Sequence, residues 1–310
     1  MIEVFVHQLT WESDDVLGVL LEDASGAPLP EWQPGAHIGV ELPGGTRHYS
    51  LCGRVDDRSR YRILVLRERA SRGGSTFVHE RLRPGDVLQI SEPSNHFPLD
   101  AAPGYRFLAG GIGITPLVPM LHATAAASSP SRMLYVGGSR YTMALVDELE
   151  GTPHDVSVVA RDEAPRPDLS DYLSAPAEGE LLYVCGPPAL VEAAATAAAA
   201  SGWPEAAVRS ERFVPVDLDP ADEDDFTVLL AASGTSASVP AEASLVDVLE
   251  RSGIDVESAC REGICGTCQV GVVSGEIIHR DAVLSAAERA SGTTMMACVS
   301  RGRGQLVLDL

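Results

Sequence analysis

The chain has 310 residues, which suits two or three domains, and 45% of them are hydrophobic, enough for a sizeable packed core. A formal net charge of −21 disfavours nucleic acid and anionic membrane surfaces; it favours a partner with a basic docking face, unless it only aids solubility. No run reaches the roughly 18 apolar residues of a membrane span, and the opening Met1-Ile-Glu-Val-Phe-Val lacks the basic and apolar regions of a secretory signal, so a cytoplasmic protein free of membranes is expected.

Residues 1–100 read as a series of short strands. Segments 16–22, 37–42, 61–67 and 87–91 carry apolar or alternating patterns, punctuated by Gly26, Pro34-Gly35, Pro43-Gly44-Gly45 and Pro84-Gly85. Such spacing predicts an antiparallel β-barrel or sandwich. Arg47-His48-Tyr49-Ser50 lies on a strand, and alone it is an ordinary edge-strand pattern. Arg72-Gly73-Gly74-Ser75 runs into a predicted helix over 76–82. Glycines before a helix leave N–H groups and the positive dipole end facing a phosphate, although most such triplets are simply turns.

From Tyr105 onward the pattern changes. Apolar strand segments 106–109, 133–136, 156–160 and 181–185 alternate with helical segments 116–127, 143–149 and 189–200. This alternation predicts a parallel sheet with helices on both faces over residues 101–213. The first strand ends in Gly110-Gly111-Ile112-Gly113-Ile114-Thr115-Pro116, a partial dinucleotide fingerprint with Pro116 where the last glycine would stand. Glycines there let a backbone approach a pyrophosphate, and a proline is tolerated in a first helical turn. A later strand ends in Cys185-Gly186-Pro187, at the carboxyl end where ligands bind in open α/β sheets; Cys185 also reads as a buried, inert thiol. A 2′-phosphate needs Arg or Lys at the ribose, and only Arg140, or Arg161 beside Asp162 and Glu163, stands near it. NADH is therefore expected, with Arg140 as the residue able to reverse that choice.

Residues 214–225 are acidic and proline-containing and read as a solvated linker. In 226–310, segments 226–231 and 237–240 predict a hairpin, 244–252 a helix capped by Ser244, 269–273 a strand ended by a turn at Ser274-Gly275, and 306–310 a last strand. Between them lie Cys260, Cys265 and Cys268 in C-x4-C-x2-C spacing, answered by a distant Cys298. Two irons bridged by two sulfides need four thiolates, and this is the plant-type [2Fe–2S] spacing. Zinc, which usually takes paired C-x2-4-C knuckles, and a disulfide framework are the alternatives. Cys52 reads as structural.

Together these segments resemble the phthalate dioxygenase reductase family, which includes vanillate demethylase reductases. Arg47-His-Tyr-Ser50, Arg72-Gly-Gly-Ser75, the Gly110 to Pro116 string, Cys185-Gly-Pro187, the four cluster cysteines and the closing Leu306-Val-Leu-Asp-Leu310 carry the resemblance. Ser71, where relatives often have glycine, departs from it.

The resemblance implies three domains: an antiparallel β-barrel flavin domain (1–100), an α/β parallel-sheet nicotinamide domain (101–213) and, after the linker, a β-grasp [2Fe–2S] ferredoxin domain (226–310). It implies FMN, held by Arg47, His48, Tyr49, Ser50, Val65, Gly73, Gly74 and Ser75, with Phe213 against the ring. It implies that Gly110, Gly111, Gly113, Thr115, Cys185, Gly186 and Pro187 hold the nicotinamide nucleotide, and that Ser50, Thr115 and Cys185 flank hydride transfer. Without the resemblance Val65 reads more safely as a core valine, and Phe213 reads equally as core packing at a strand end. The implied activity is electron transfer from NADH through FMN and the cluster to a terminal oxygenase, of Rieske or cytochrome P450 type. The protein is expected to act as a monomer, with no side chain as an essential acid or base. A separate oxidoreductase with its own substrate, or a non-enzymatic iron–sulfur module, would instead need a substrate domain or lack flavin.

Overall fold

The computed structural model describes residues 1–68, 73–213 and 224–310. Ser71, Arg72 and the acidic segment 214–223 lie outside the described residues. The chain forms two compact units, Met1–Arg212 and Phe213–Leu310.

The first unit begins with six antiparallel strands: β1 (Ile2–Ser13), β2 (Val16–Asp23), β3 (His37–Leu42), β4 (Gly45–Ser50), β5 (Tyr61–Leu66) and β6 (Val87–Ile90), with helix α1 (Gly74–Glu80) between the last two. Their order is β4-β3-β6-β1-β2-β5. Leu51 bridges to Ile63 on β5, which joins the two outer strands and rolls the sheet into a barrel. Val4, Val6, Val19, Leu21, Ile38, Val40, Ile63 and Val65 fill its interior. The sequence pattern did not single out β1. A register shift between Val6 and Gln8 interrupts its alternation, so a period of two cannot be followed along it.

A parallel sheet follows, made of β7 (Tyr105–Gly110), β8 (Ser131–Gly137), β9 (Asp155–Ala160), β10 (Leu181–Cys185) and β11 (Val208–Glu211), in the order β11-β10-β7-β8-β9. Helices α2 (Leu117–Ala126), α3 (Val146–Glu150), α4 (Leu169–Tyr172) and α5 (Pro188–Ala200) connect the strands. All six residues of β7 are buried, as expected for a central parallel strand covered on both faces. The chain winds outward from β7 to β8 and β9, then crosses to β10 and β11 on the other side. The switch point of the sheet therefore lies at the carboxyl ends of β7 and β10.

The second unit is a mixed sheet of β12 (Phe226–Leu230), β13 (Ser236–Val239), β14 (Gln269–Ile278), β15 (Thr294–Met296) and β16 (Arg301–Leu308), ordered β13-β12-β16-β14-β15. Helix α6 (Leu245–Arg251) buries Leu245, Val246, Val248 and Leu249 against it. Ser244 caps α6 as expected, in a reciprocal capping box with Asp247. Helix α7 (Ala286–Ser291) has a second box, Ser285 with Glu288.

The turn expected at Ser274-Gly275 is instead a bulge inside β14, which runs on to Ile278. Gly275 takes φ +121° there, and a Cβ on it would lie 2.5 Å from Leu306 Cδ2, so the glycine serves close packing of β14 on β16 rather than a chain reversal.

Candidate functional site

The four cysteines of the second unit are free thiols; Cys265, Cys268 and Cys298 are buried and Cys260 is half-buried. The thiols lie close enough to perturb one another. A hydrogen bond with Cys265 holds the Cys260 thiol above the usual range, and one between Cys298 and Cys268 lowers the Cys268 thiol and raises that of Cys298. Among the described residues, no three His, Cys, Asp or Glu side chains converge as they would for a single metal ion. Four free thiols in this spacing suit two sulfide-bridged irons, each taking two thiolates.

The loop carrying three of these thiols is shaped by its backbone. Gly263 and Gly266 have φ of +69° and +76°, and Arg261 enters the left-handed region at +56°. Arg261 is held there by Asp247 (2.7 Å) and Glu250 (2.6 Å) on α6. The Glu262 N–H donates to Cys260 Sγ at 3.3 Å, and Thr267 Oγ1 lies 3.3 Å from Cys265 Sγ, so one N–H already points at a sulfur and a hydroxyl stands beside another.

Behind the loop runs His279-Arg280-Asp281. Ala282 N–H donates to Gly263 O (2.8 Å) and Arg280 N–H to Ser300 Oγ (3.2 Å), so this segment ties the three-thiol loop to the stretch carrying Cys298. Asp281 is wholly buried and caps its own turn through the N–H groups of Val283 and Leu284. The sequence reading passed over these residues, although a His-Arg-Asp triplet flanked by apolar chain was a visible signal.

On the barrel, β4 presents Arg47 and Tyr49 to one side. Tyr49 packs on the barrel core, and burial pushes its hydroxyl up to about 12. Arg47 lies over Gly74 at the start of α1, where a Cβ would approach its Cγ to 3.0 Å, so the glycine lets the arginine pack close to the backbone. Gly73 precedes it at φ +101°. The Arg47 guanidinium donates to Gly44 O and Thr46 O. A guanidinium beside glycine N–H groups suits a phosphate monoester.

Ser50 is buried at the end of β4, and Ser75 Oγ accepts from Glu68 N–H (3.2 Å). His48 alternates to the opposite side of the strand. Its ring meets His37 at 5.2 Å, and both its nitrogens are buried without hydrogen-bond partners among the described residues. The Val65 side chain is wholly buried in the barrel core, while its carbonyl meets His79 Nε2 at 2.9 Å.

At the switch point, the Gly110 to Thr115 turn and the Cys185-Gly186-Pro187 turn pack backbone to backbone. A Cβ on Gly113 would stand 2.3 Å from Cys185 O, and one on Gly110 2.9 Å from Pro187 Cδ. Gly111, at φ +54°, faces open space. Thr115 is buried, its hydroxyl donating to Ile112 O (3.0 Å). Two of the three glycines are thus demanded by the neighbouring turn and one leaves room for a ligand.

Burial pushes the Cys185 thiol well up, so it is neutral, and Glu211 Oε2 lies 3.9 Å from its sulfur. Burial also raises the Glu211 carboxyl to about 8. Glu211 was missed because its segment read only as the end of a sheet; an acid closing a short strand was the available clue. Phe213 opens the second unit, half-buried.

A chain that joins these modules is an iron–sulfur flavoprotein reductase drawing on a pyridine nucleotide. A family model described as a 2Fe-2S iron-sulfur cluster binding domain matches residues 228–302. The chain is 41% identical, over 98% of its length and 96% of the relative's, to a phenoxybenzoate dioxygenase subunit beta from Ectopseudomonas oleovorans. It is similar to the solved structure of phthalate dioxygenase reductase, with a TM-score of 0.72 and 35% identity over 99% of this chain and 97% of that one. It is also similar to an intact type IV self-sufficient cytochrome P450 monooxygenase, with a TM-score of 0.91 and 41% identity; all of this chain is covered, but it spans only 41% of that protein. The chain belongs to the phthalate dioxygenase reductase family.

Proposed function

We propose that this protein is the electron-transfer reductase of an oxygenase system, moving electrons from NADH through FMN to a [2Fe–2S] cluster and on to a terminal oxygenase. The observation that carries the reading is four free thiols in plant-type spacing, three of them buried, on the same chain as an anion cradle and a glycine-turn switch point. When bound, FMN supplies a centre that takes two electrons as hydride and gives them up singly, and the cluster supplies a one-electron site.

The chain's own residues bind and orient. Arg47, Gly73, Gly74 and Ser75 would neutralise and cradle the flavin phosphate; Tyr49 and Ser50 would flank the ring. His48 and Val65 would support this strand and barrel wall from behind. Gly111 would admit the pyrophosphate. Thr115, with Cys185, Gly186 and Pro187, would form the floor under the nicotinamide, where a neutral thiol excludes water without offering a charge. Cys260, Cys265, Cys268 and Cys298 would ligate the cluster. Phe213 is assigned to the flavin ring only by the family resemblance.

The partner oxygenase is inferred to be of the Rieske type, in line with the dioxygenase relatives; the likeness to a self-sufficient P450 favours a cytochrome P450 as the second reading. Among the described residues, no helix is long and apolar enough to cross a membrane. A cytoplasmic monomer is the working reading.

The test is an anaerobic NADH titration of the purified protein, followed by absorbance and low-temperature EPR, with the released flavin identified by chromatography. Flavin bleaching, released FMN and a reduced [2Fe–2S] signal are expected. Protein prepared with its metal intact that shows neither flavin nor EPR signal would overturn the reading.

A further inference from the structure

We propose that Glu150 and Glu163 set the preference for NADH over NADPH, by occupying Arg140 and keeping the ribose end of the nucleotide site negative. The proposal rests on the nucleotide-site reading above and extends it to two residues that reading does not use.

In dinucleotide-binding sheets the first strand ends at the pyrophosphate turn and the second ends beside the ribose 2′ position. Here β7 is the first strand and β8, its parallel neighbour, the second. Beyond β8 the chain runs through Gly137, Gly138 and Ser139 to Arg140. The loop after β9 is laced to it, with Arg161 N–H donating to Gly137 O (3.1 Å) and Asp162 N–H to Gly138 O (3.2 Å). That lacing carries Glu163 across to Arg140, and the end of α3 brings Glu150 from the other side. Arg140 Nη1 donates to Glu150 Oε1 at 2.8 Å and Nε to Glu163 Oε2 at 2.9 Å, so both edges of the guanidinium are engaged.

Arg140 is the natural partner of a 2′-phosphate, because its planar fork matches phosphate oxygens. Two carboxylates already occupy the fork. Each pair is exposed and weak by itself, so the decisive quantity is charge. The lip holds two guanidiniums, Arg140 and Arg161, against three carboxylates, Glu150, Asp162 and Glu163. A dianionic phosphate meets a net negative surface, whereas a ribose hydroxyl can donate to a carboxylate at no such cost. Replacing both glutamates by glutamine leaves one carboxylate against two guanidiniums and reverses the sign of the lip.

The experiment uses the full-length holoprotein and the variants Glu150→Gln, Glu163→Gln, the double variant, and the double variant with Arg140→Ala. Calorimetry measures binding of AMP and of 2′-phospho-AMP, and ferricyanide reduction gives kcat/KM for NADH and NADPH. In the double variant both the 2′-phospho-AMP to AMP affinity ratio and the NADPH to NADH kcat/KM ratio are expected to rise by about tenfold or more. Adding Arg140→Ala is expected to remove most of that gain. Unmoved ratios in a variant that still oxidises NADH overturn this inference alone, as does a gain that survives Arg140→Ala. Unaltered protein that binds neither nucleotide and leaves NADH untouched overturns the nucleotide site itself, and the inference with it.

Discussion

Glu211 shows how one residue can carry a pH dependence. Unfolded, its carboxyl has an ordinary pKa near 4.5; folded, burial raises this to about 8. Between those values the folded chain holds a proton that the unfolded chain has lost, so stability falls as pH rises through the window. Glu211→Gln keeps the shape and removes the titration. It is expected to flatten that fall, leaving the variant more stable than the unaltered protein by a few kcal/mol at about pH 8, as read from urea midpoints between roughly pH 5 and 9. An unchanged slope would mean that the carboxyl is not held protonated beside Cys185. The sequence names the acid but not its burial, which arises only when β11 pairs with β10 and brings Glu211 opposite Cys185.

At the scale of the element, the glycines of the turn after β7 separate two demands that look identical in sequence. Gly113 is required by backbone on its other side: a Cβ would stand 2.3 Å from Cys185 O and 2.6 Å from Gly186 N. Neither atom belongs to a side chain that could rotate away. Gly111 has only a positive φ to satisfy, with open space beyond it. Gly113→Ala is therefore expected to cost about 1–3 kcal/mol of stability and to raise KM for NADH by displacing the Cys185 turn. Gly111→Ala should cost nearer 1 kcal/mol, the strain of a left-handed residue. Thermal melts and steady-state kinetics of the two variants check the order, and the reverse order would undo the packing argument. The strand pattern was legible wherever alternation ran unbroken, as in β3. It was not legible in β1 or in the second half of β14, where bulges move side chains to the other face.

For the whole molecule, two compact units predict that loss of the cluster need not dismantle the flavin and nucleotide sites. Cys298 is the thiol furthest in sequence from the other three, and removing it leaves one iron a single ligand short. Cys298→Ser is expected to abolish the reduced-cluster EPR signal and to cut transfer to an oxygenase partner by about a hundredfold or more. NADH-driven ferricyanide reduction, which can draw on flavin alone, should stay within about threefold of the unaltered protein. Equal loss of both activities would show that the cluster holds the molecule together rather than serving as its electron exit.

The sequence by itself determined the kind of molecule. Strand spacing, the switch to alternating strands and helices, and the C-x4-C-x2-C…C spacing are local patterns, and local patterns survive without knowledge of the fold. Only the tertiary structure decided that Gly110 and Gly113 serve the Cys185 turn, that His279-Arg280-Asp281 ties the three-thiol loop to the Cys298 stretch, and that Glu150 and Glu163 meet on Arg140. Each of these joins segments separated by at least ten residues of chain. Contacts of that kind are set by sheet order and register, which no run of neighbouring residues encodes alone.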